Sequence, residues 1–213
     1  MRLKKQIAIL ALGAGFAACT PQPATNLIED NMEFAQQQLR FAFDEIDYAI
    51  VNESPESRAK REKNGWGELT NPRNSEPDGT LNLVPSKDWT SGFFPGELWF
   101  LYEYTQNNFW KKKAQQHTDI LEKEKMNGST HDMGFKVYCS FGNGYRLTQD
   151  EHYKEVLLQS ARTLATRFKP AAGIIRSWDH STAKWVCPVI IDNMMNLELL
   201  FWATKESKDS TFY

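Results

Sequence analysis

WTSGFFPGELWFLYEYT, residues 89–105, is the stretch on which the fold turns. It starts as a turn and enters a helix near Pro95, a residue tolerated in a first helical turn. From there it is apolar on most faces, and a helix of that kind has to be covered on more than one side. A second span, MMNLELLFWA at 194–203, has the same character. Around these two lie helices with a single apolar stripe. Residues 26–51 place Ile28, Met32, Ala35, Leu39, Ala42, Ile46 and Ala49 at steps of three and four, the amphipathic spacing. Residues 109–125 and 150–168 read the same way. Residues 134–148 also read as helical, although Gly142 and Gly144 weaken that reading, and a last helix is expected over 193–205. Inner helices alternating with more polar outer ones give an all-α, two-layered molecule. Stacked helical hairpins of this type form either a solenoid or a closed α/α toroid. No repeat of fixed period is present, which argues against a tetratricopeptide-type array.

Two stretches interrupt the helical pattern. Residues 52–88 are charged and then rich in Asn, Pro and Gly (NPRNSEPDGT, 71–80), which reads as a long functional or mobile loop. Residues 173–191 hold two β-like runs, IIRSWD and KWVCPVIID, around a polar turn, a short hairpin-like insertion.

The chain has 213 residues, 41% hydrophobic and 24% charged, a composition of soluble globular type. Its start is different. Arg2, Lys4 and Lys5 precede an apolar run, Ile7 to Ala18, too short to span a bilayer as a stable helix. This reads as an export signal over residues 1–19. It ends Phe16-Ala17-Ala18-Cys19, which resembles a bacterial lipoprotein box with Cys19 as the lipidated residue; an ordinary signal cut near Ala18 is the alternative. Residues 20–25 then form a polar tether. The expected location is the periplasm or cell envelope, with membrane contact through the lipid anchor alone.

Without that leader 22 basic residues face 27 acidic ones, a net charge of about −5, with no long basic run or stripe. Nucleic-acid binding is therefore not expected. Cys139 and Cys187 sit in apolar company and read as buried thiols rather than a disulfide. The four histidines (117, 131, 152, 180) are scattered and form no metal-ligand pattern, so neither metal nor cofactor is expected. Aromatic residues are abundant, with seven tryptophans. They suit a large aromatic core, and equally a sugar site, where indole rings stack on flat apolar sugar faces.

Two aspartates sit at helix entries. Asp132 precedes MGFKVY in THDMGF (130–135), and Asp192 lies between PVII and NMMNLELLFWA. Aspartate is a favoured N-cap, so a capping role is open for each. A different role is open as well. Val189, Ile190, Ile191, Met194 and Met195 flank Asp192; packed around a carboxyl they would raise its pKa, as a general acid requires, while the helix N-terminus would lower it. Paired carboxylates over a tryptophan-lined cleft are the equipment of sugar-bond chemistry.

Four ordered motifs bear on this choice: DWTSGFFPGELWFLYEYT (88–105), THDMGF with SFGNGYRLT, GIIRSWD, and VIIDNMMNLELLFWA. Together they resemble glycoside hydrolase family 88, the unsaturated glucuronyl hydrolases. The resemblance implies an (α/α)6 barrel. It implies action on oligosaccharides left by polysaccharide lyases, which end in a 4,5-unsaturated uronic acid. It assigns Asp132 and Asp192 as the catalytic pair, with Asp192 as general acid and base. It also places Trp89, His131 and Trp178 around the substrate, the indoles stacking on sugar rings and the histidine binding a hydroxyl or the uronate. Arg146 and Arg176 are expected in surface salt bridges rather than at the substrate. No protein partner is implied. The alternatives are an unsaturated rhamnogalacturonyl hydrolase on the same fold, against which HD-x-GF argues, and a non-catalytic sugar-binding lipoprotein, against which both aspartates argue.

Twelve helices with short connections need on the order of 300 residues or more. Residues 26–213 are therefore expected to be the N-terminal half of such a barrel, and to be poorly folded or inactive alone.

Overall fold

The computed structural model describes residues 26–181 and 183–213; the leader and the Cys19 lipidation site lie outside the described residues. Helix α1 (Leu27–Val51) runs first. Met32, Ala35, Leu39, Ala42, Phe43, Ile46 and Ala49 carry it onto the core. Ile28, expected on that stripe, is exposed.

The long loop expected over 52–88 is in fact structured. Helix α2 (Pro55–Lys63) opens with Ser54, whose hydroxyl accepts from the Ser57 N–H, and with proline in the first turn. It has no apolar stripe, so hydrophobic periodicity could not reveal it; its signal was the cap and the Lys60, Arg61 and Lys63 charges at its C-terminal end. Strands β1 (Leu69–Ser75) and β2 (Leu81–Pro85) follow as an antiparallel hairpin, with Leu69 opposite Pro85 and Ser75 opposite Leu81. Its turn puts Gly79 at φ 89°, where glycine is at home.

Helices α3 (Phe93–Thr105) and α4 (Asn108–Asp119) form a tight helical hairpin, pinned where the Trp99 indole N–H donates to the Thr118 hydroxyl at 2.9 Å. A short 3₁₀ turn (Glu122–Met126) leads to a π-helix over Gly134–Gly142, which continues as α5 (Asn143–Thr148) and packs beside α6 (Glu151–Ala165). Expected helix 134–148 is thus present, but its first nine residues are wound in wide π turns. The N-terminus of α3 crosses this π-helix at Gly92. A Cβ there would lie 2.2 Å from the Phe135 carbonyl oxygen, so only glycine allows the approach.

The described strands are two short hairpins, the second made by β3 (Phe168–Lys169) and β4 (Ile174–Ile175). The hairpin expected between IIRSWD and KWVCPVIID is therefore replaced by one with the chain before it. The two runs do touch, through Ser177 N–H to the Pro188 carbonyl at 2.8 Å and Ile190 N–H to the Ser177 hydroxyl. Pro188 offers no N–H to extend a ladder. The final helix is broken at Leu197 into α7 (Asn193–Asn196) and α8 (Glu198–Ser207), with a 3₁₀ turn at Ser210–Phe212.

The core joins Phe43 and Ile46 of α1, Leu98, Trp99 and Leu101 of α3, Trp110, Phe141, Leu157, Leu164 and Leu199. Two of the tryptophans, Trp99 and Trp110, are wholly buried, while Trp66, Trp89 and Trp185 remain exposed. The buried pair belongs to the aromatic core. The apolar spans of α3 and α8 are covered less completely than expected, since Phe100, Tyr104 and Phe201 face outward. His117 is buried between Phe43 and Phe94 and bonded through Nδ1 to Asn71 Oδ1 at 2.7 Å. Burial lowers its pKa to about 4, with the nearby Lys113 charge acting in the same direction.

Candidate active site

The two aspartates begin helices, but neither carboxylate caps one. The Asp132 carbonyl accepts the Lys136 N–H at 3.0 Å, so the backbone turns into the π-helix there. Its side chain instead accepts from the Thr130 hydroxyl at 2.5 Å and faces His131 Nε2 at 3.2 Å. Asp192 stands at the start of α7 and makes no side-chain capping bond either. Its Oδ2 lies 3.9 Å from the same His131 Nε2. Its Oδ1 is buried and has no hydrogen-bond partner among the described residues. Ligand-type atoms of His131, Asp132 and Asp192 all fall within 4.8 Å of one another. Residues sixty positions apart have converged with neither carboxylate used as a helix cap.

A latch between the two segments causes the convergence. Gly134 lies against α7 so closely that a Cβ would sit 2.6 Å from Asn196 Cα. The next backbone N–H, of Phe135, donates to Asn196 Oδ1 at 2.9 Å. Asn193, one residue past Asp192, donates its amide to the Ile175 carbonyl at 2.8 Å. That fixes the amide orientation, so Asn193 Oδ1 is the acceptor in its 3.2 Å contact with His131 Nδ1. Nδ1 therefore carries a proton, and Nε2 is the atom turned toward the carboxylates. A hydrogen bond across the 3.2 Å gap to Asp132 needs a further proton on one side or the other.

Behind Asp132 lies a buried charge. Lys136, fully buried on the π-helix, reaches Glu124 at 3.4 Å. Burial pushes the lysine pKa down despite that partner. Burial also acts to raise Glu124, but hydrogen bonds from Ser86 and Asn127 and the Lys136 charge outweigh it and leave the carboxyl below its ordinary value. The lysine's field reaches Asp132 and Asp88 as well.

Trp89 lies edge-on to Phe93 and tilted against Phe135, is partly exposed, and lines with Asp132 a cavity of about 610 Å³. Trp178 stacks on His180 at 5.5 Å, and its indole nitrogen is buried without a partner among the described residues. The segment carrying it is tied to the Asp192 side by the Ser177 and Asn193 hydrogen bonds. The apolar neighbours of Asp192 do not enclose it as expected. Val189, Ile190, Ile191, Met194 and Met195 are all exposed, the first three on irregular chain leading into a turn and the last two on the short helix α7. Arg146 pairs with Glu103, and Arg176 with Asp179. Cys139 and Cys187 are free thiols, partly rather than fully buried. Burial raises the Cys139 thiol pKa to about 11.

The scatter of histidines hid one three-donor cluster, since His131 needs only two carboxylates to complete it. Such a set can hold a divalent cation, and acidic groups also gather without one. Asn193, Asn196 and Lys136 were not expected at the site. The spacing of three between the asparagines after Asp192, and a lone lysine inside the apolar run GFKVYC, were the signals available.

No family model matches the chain. The solved structures it is similar to place its fold: it presents part of an (α/α)6 barrel. An unsaturated glucuronyl hydrolase specific for heparin is 38% identical and superposes with a TM-score of 0.66, over 84% of this chain and 44% of that one. In sequence, an unsaturated glucuronyl hydrolase of Formosa agariphila is 56% identical over 134 residues, 62% of this chain and 34% of that protein. An unsaturated chondroitin disaccharide hydrolase of Streptococcus pneumoniae is 31% identical over 141 residues, 64% of this chain and 35% of that protein. Over the matched residues the chain is thus related to the unsaturated glucuronyl hydrolases, and it spans about a third of the length of these curated relatives.

Proposed function

We propose that this chain carries the catalytic aspartates of a hydrolase that removes a 4,5-unsaturated uronic acid from the non-reducing end of lyase-generated oligosaccharides. Asp192 in its acid form donates a proton to C4 of the enol ether. Asp192, now ionised, takes a proton from water as the water oxygen bonds to C5. The hemiketal so formed opens to a ketone at C5, which leaves C1 as a hemiacetal, and that hemiacetal collapses to an aldehyde and releases the remaining saccharide as an alcohol. The double bond is hydrated, so no displacement at the anomeric carbon is needed. Asp132 and His131 hold the unsaturated ring and steady charge developing on it, while Trp89 and Trp178 offer stacking faces.

The observation that supports this best is the meeting of Asp132 and Asp192 at one histidine with neither carboxylate used as a cap. The kinship with enzymes named for unsaturated glucuronyl and chondroitin disaccharide substrates points the same way. The test is Asp192→Asn in the protein as its gene encodes it, followed by loss of the enol-ether ultraviolet absorbance of a lyase-generated disaccharide. Turnover should drop at least 10²-fold, the usual contribution of a general acid–base group, while the disaccharide still binds. Turnover equal to that of the unaltered protein would remove Asp192 from the chemistry.

A further inference from the structure

Beside Asp132 lies the cavity that Trp89 also lines. It lies between α2, the β1–β2 hairpin and the turn into α3, and its walls hold Lys60, Arg61, Arg73, Lys87 and the indoles of Trp66 and Trp89. Two of the cations are committed. Arg61 grips Glu53 through Nε and Nη2 at 2.9 and 2.8 Å and gives Nη1 to the Gly67 carbonyl. Arg73 pairs with Asp88 at 3.2 Å and lies 5.7 Å over the Trp89 ring.

The other two are not neutralised. Lys60 Nζ is 5.9 Å from the Trp66 ring centre, and Lys87 Nζ donates to the Gly65 carbonyl at 2.7 Å. Neither has a carboxylate within 4.0 Å among the described residues. Of the lining residues Asp88 and Asp132 are acidic, against four cations; with Arg61 already paired to Glu53 behind the wall, a single positive charge remains in excess. Lysines scattered on a solvated surface would need no explanation. Here the excess is gathered in one concave space, with two exposed indoles, opening on a proposed catalytic aspartate.

We infer that this cavity is a subsite for an anionic substituent, a sulfate ester or a carboxylate, on the sugar that follows the unsaturated uronate. The inference rests on the proposed function. Trp89 is shared by both sites, so a sugar leaving the unsaturated ring passes directly onto it. Trp66 offers a second flat face, and Lys60 and Lys87 supply point charges whose attraction weakens with salt. The volume falls within the range of ordinary ligand pockets.

The experiment compares three unsaturated disaccharides that differ only in the second sugar: neutral, sulfated, and carboxylate-bearing. They are given to the full-length protein and to a Lys60→Ala/Lys87→Ala variant; both lysines are exposed, so folding is not at stake. The unaltered protein should prefer an anionic disaccharide over the neutral one in kcat/KM, and the preference should shrink as salt rises. In the variant that preference should fall about tenfold, mainly through KM. Loss confined to the sulfated or to the carboxylate compound identifies the anion served. An unchanged preference ratio overturns the subsite while leaving the hydrolase reading intact. Should no disaccharide turn over, the hydrolase reading fails, and titration calorimetry with the sulfated compound decides the subsite: equal affinity in protein and variant overturns it.

Discussion

Replacing Gly134 by alanine should damage the site without touching a single charged group. The added Cβ would stand 2.6 Å from Asn196 Cα and 2.9 Å from Asn196 Oδ1. Carbon atoms pack at about 3.5–4.0 Å, so the segments bearing Asp132 and Asp192 must part by roughly 1 Å. Overpacking of this kind costs about 1–3 kcal/mol. Stretching the Phe135 N–H bond to Asn196 adds about 1 kcal/mol. In a domain of this size each kcal/mol lowers the melting temperature by about 2–4 °C, so a fall of roughly 4–16 °C is expected. With the aspartates in the proposed role, displacing them by about 1 Å costs on the order of 10²-fold in rate. Thermal denaturation followed by circular dichroism reads the first effect, and enol-ether absorbance the second. Gly128→Ala is the control, since a Cβ there meets only side-chain atoms at 3.7 and 3.8 Å. Melting within 1 °C of the unaltered protein and turnover within about twofold would refute the idea that close approach at Gly134 sets the distance between the aspartates.

Stability should depend on pH through His117. Its folded pKa of about 4 lies below the ordinary 6.5, so the folded state takes up fewer protons between these values. Stability is therefore fully present above about 6.5 and declines as pH falls toward 4, by at most about 3 kcal/mol; urea denaturation across this window should show the slope, and His117→Gln should flatten it. The ring of His131 should carry a proton on Nδ1, held by Asn193. Nitrogen chemical shifts of the imidazole read this directly, and a spectrum showing the neutral ring protonated only on Nε2 would contradict the assignment. In Asn193→Ala that preference should disappear, with turnover down about tenfold or more and an altered pH profile.

Some elements were legible because their cause is local. The stripe of α1 repeats every three or four residues, and α3 announces itself by apolar faces and a proline in its first turn. Other elements were not. Helix α2 has no apolar face to read, and the β1–β2 hairpin was masked by the polar composition of its strands; its Pro-Asp-Gly turn was the visible clue. Asp132 and Asp192 stood out as helix-entry carboxylates, yet the exposed residues around Asp192 show that an apolar neighbourhood in sequence is not an apolar environment in space. Asn193 and Asn196 lay one and four residues from Asp192 and drew no notice, because an asparagine's importance depends on what faces it.

By itself the sequence determined the helical class, the placement of most helices, and the aspartates worth testing. These follow from side-chain periodicity, capping chemistry and motif order, all of which act over a few residues. The tertiary structure decided that Asp132 and Asp192 face one histidine, that Gly134 lies directly against Asn196, and that the lysines of a polar segment line a cavity beside Asp132. Distances between residues sixty positions apart are set by how helices pack, and packing is settled by volumes and hydrogen bonds that meet only when the chain has folded.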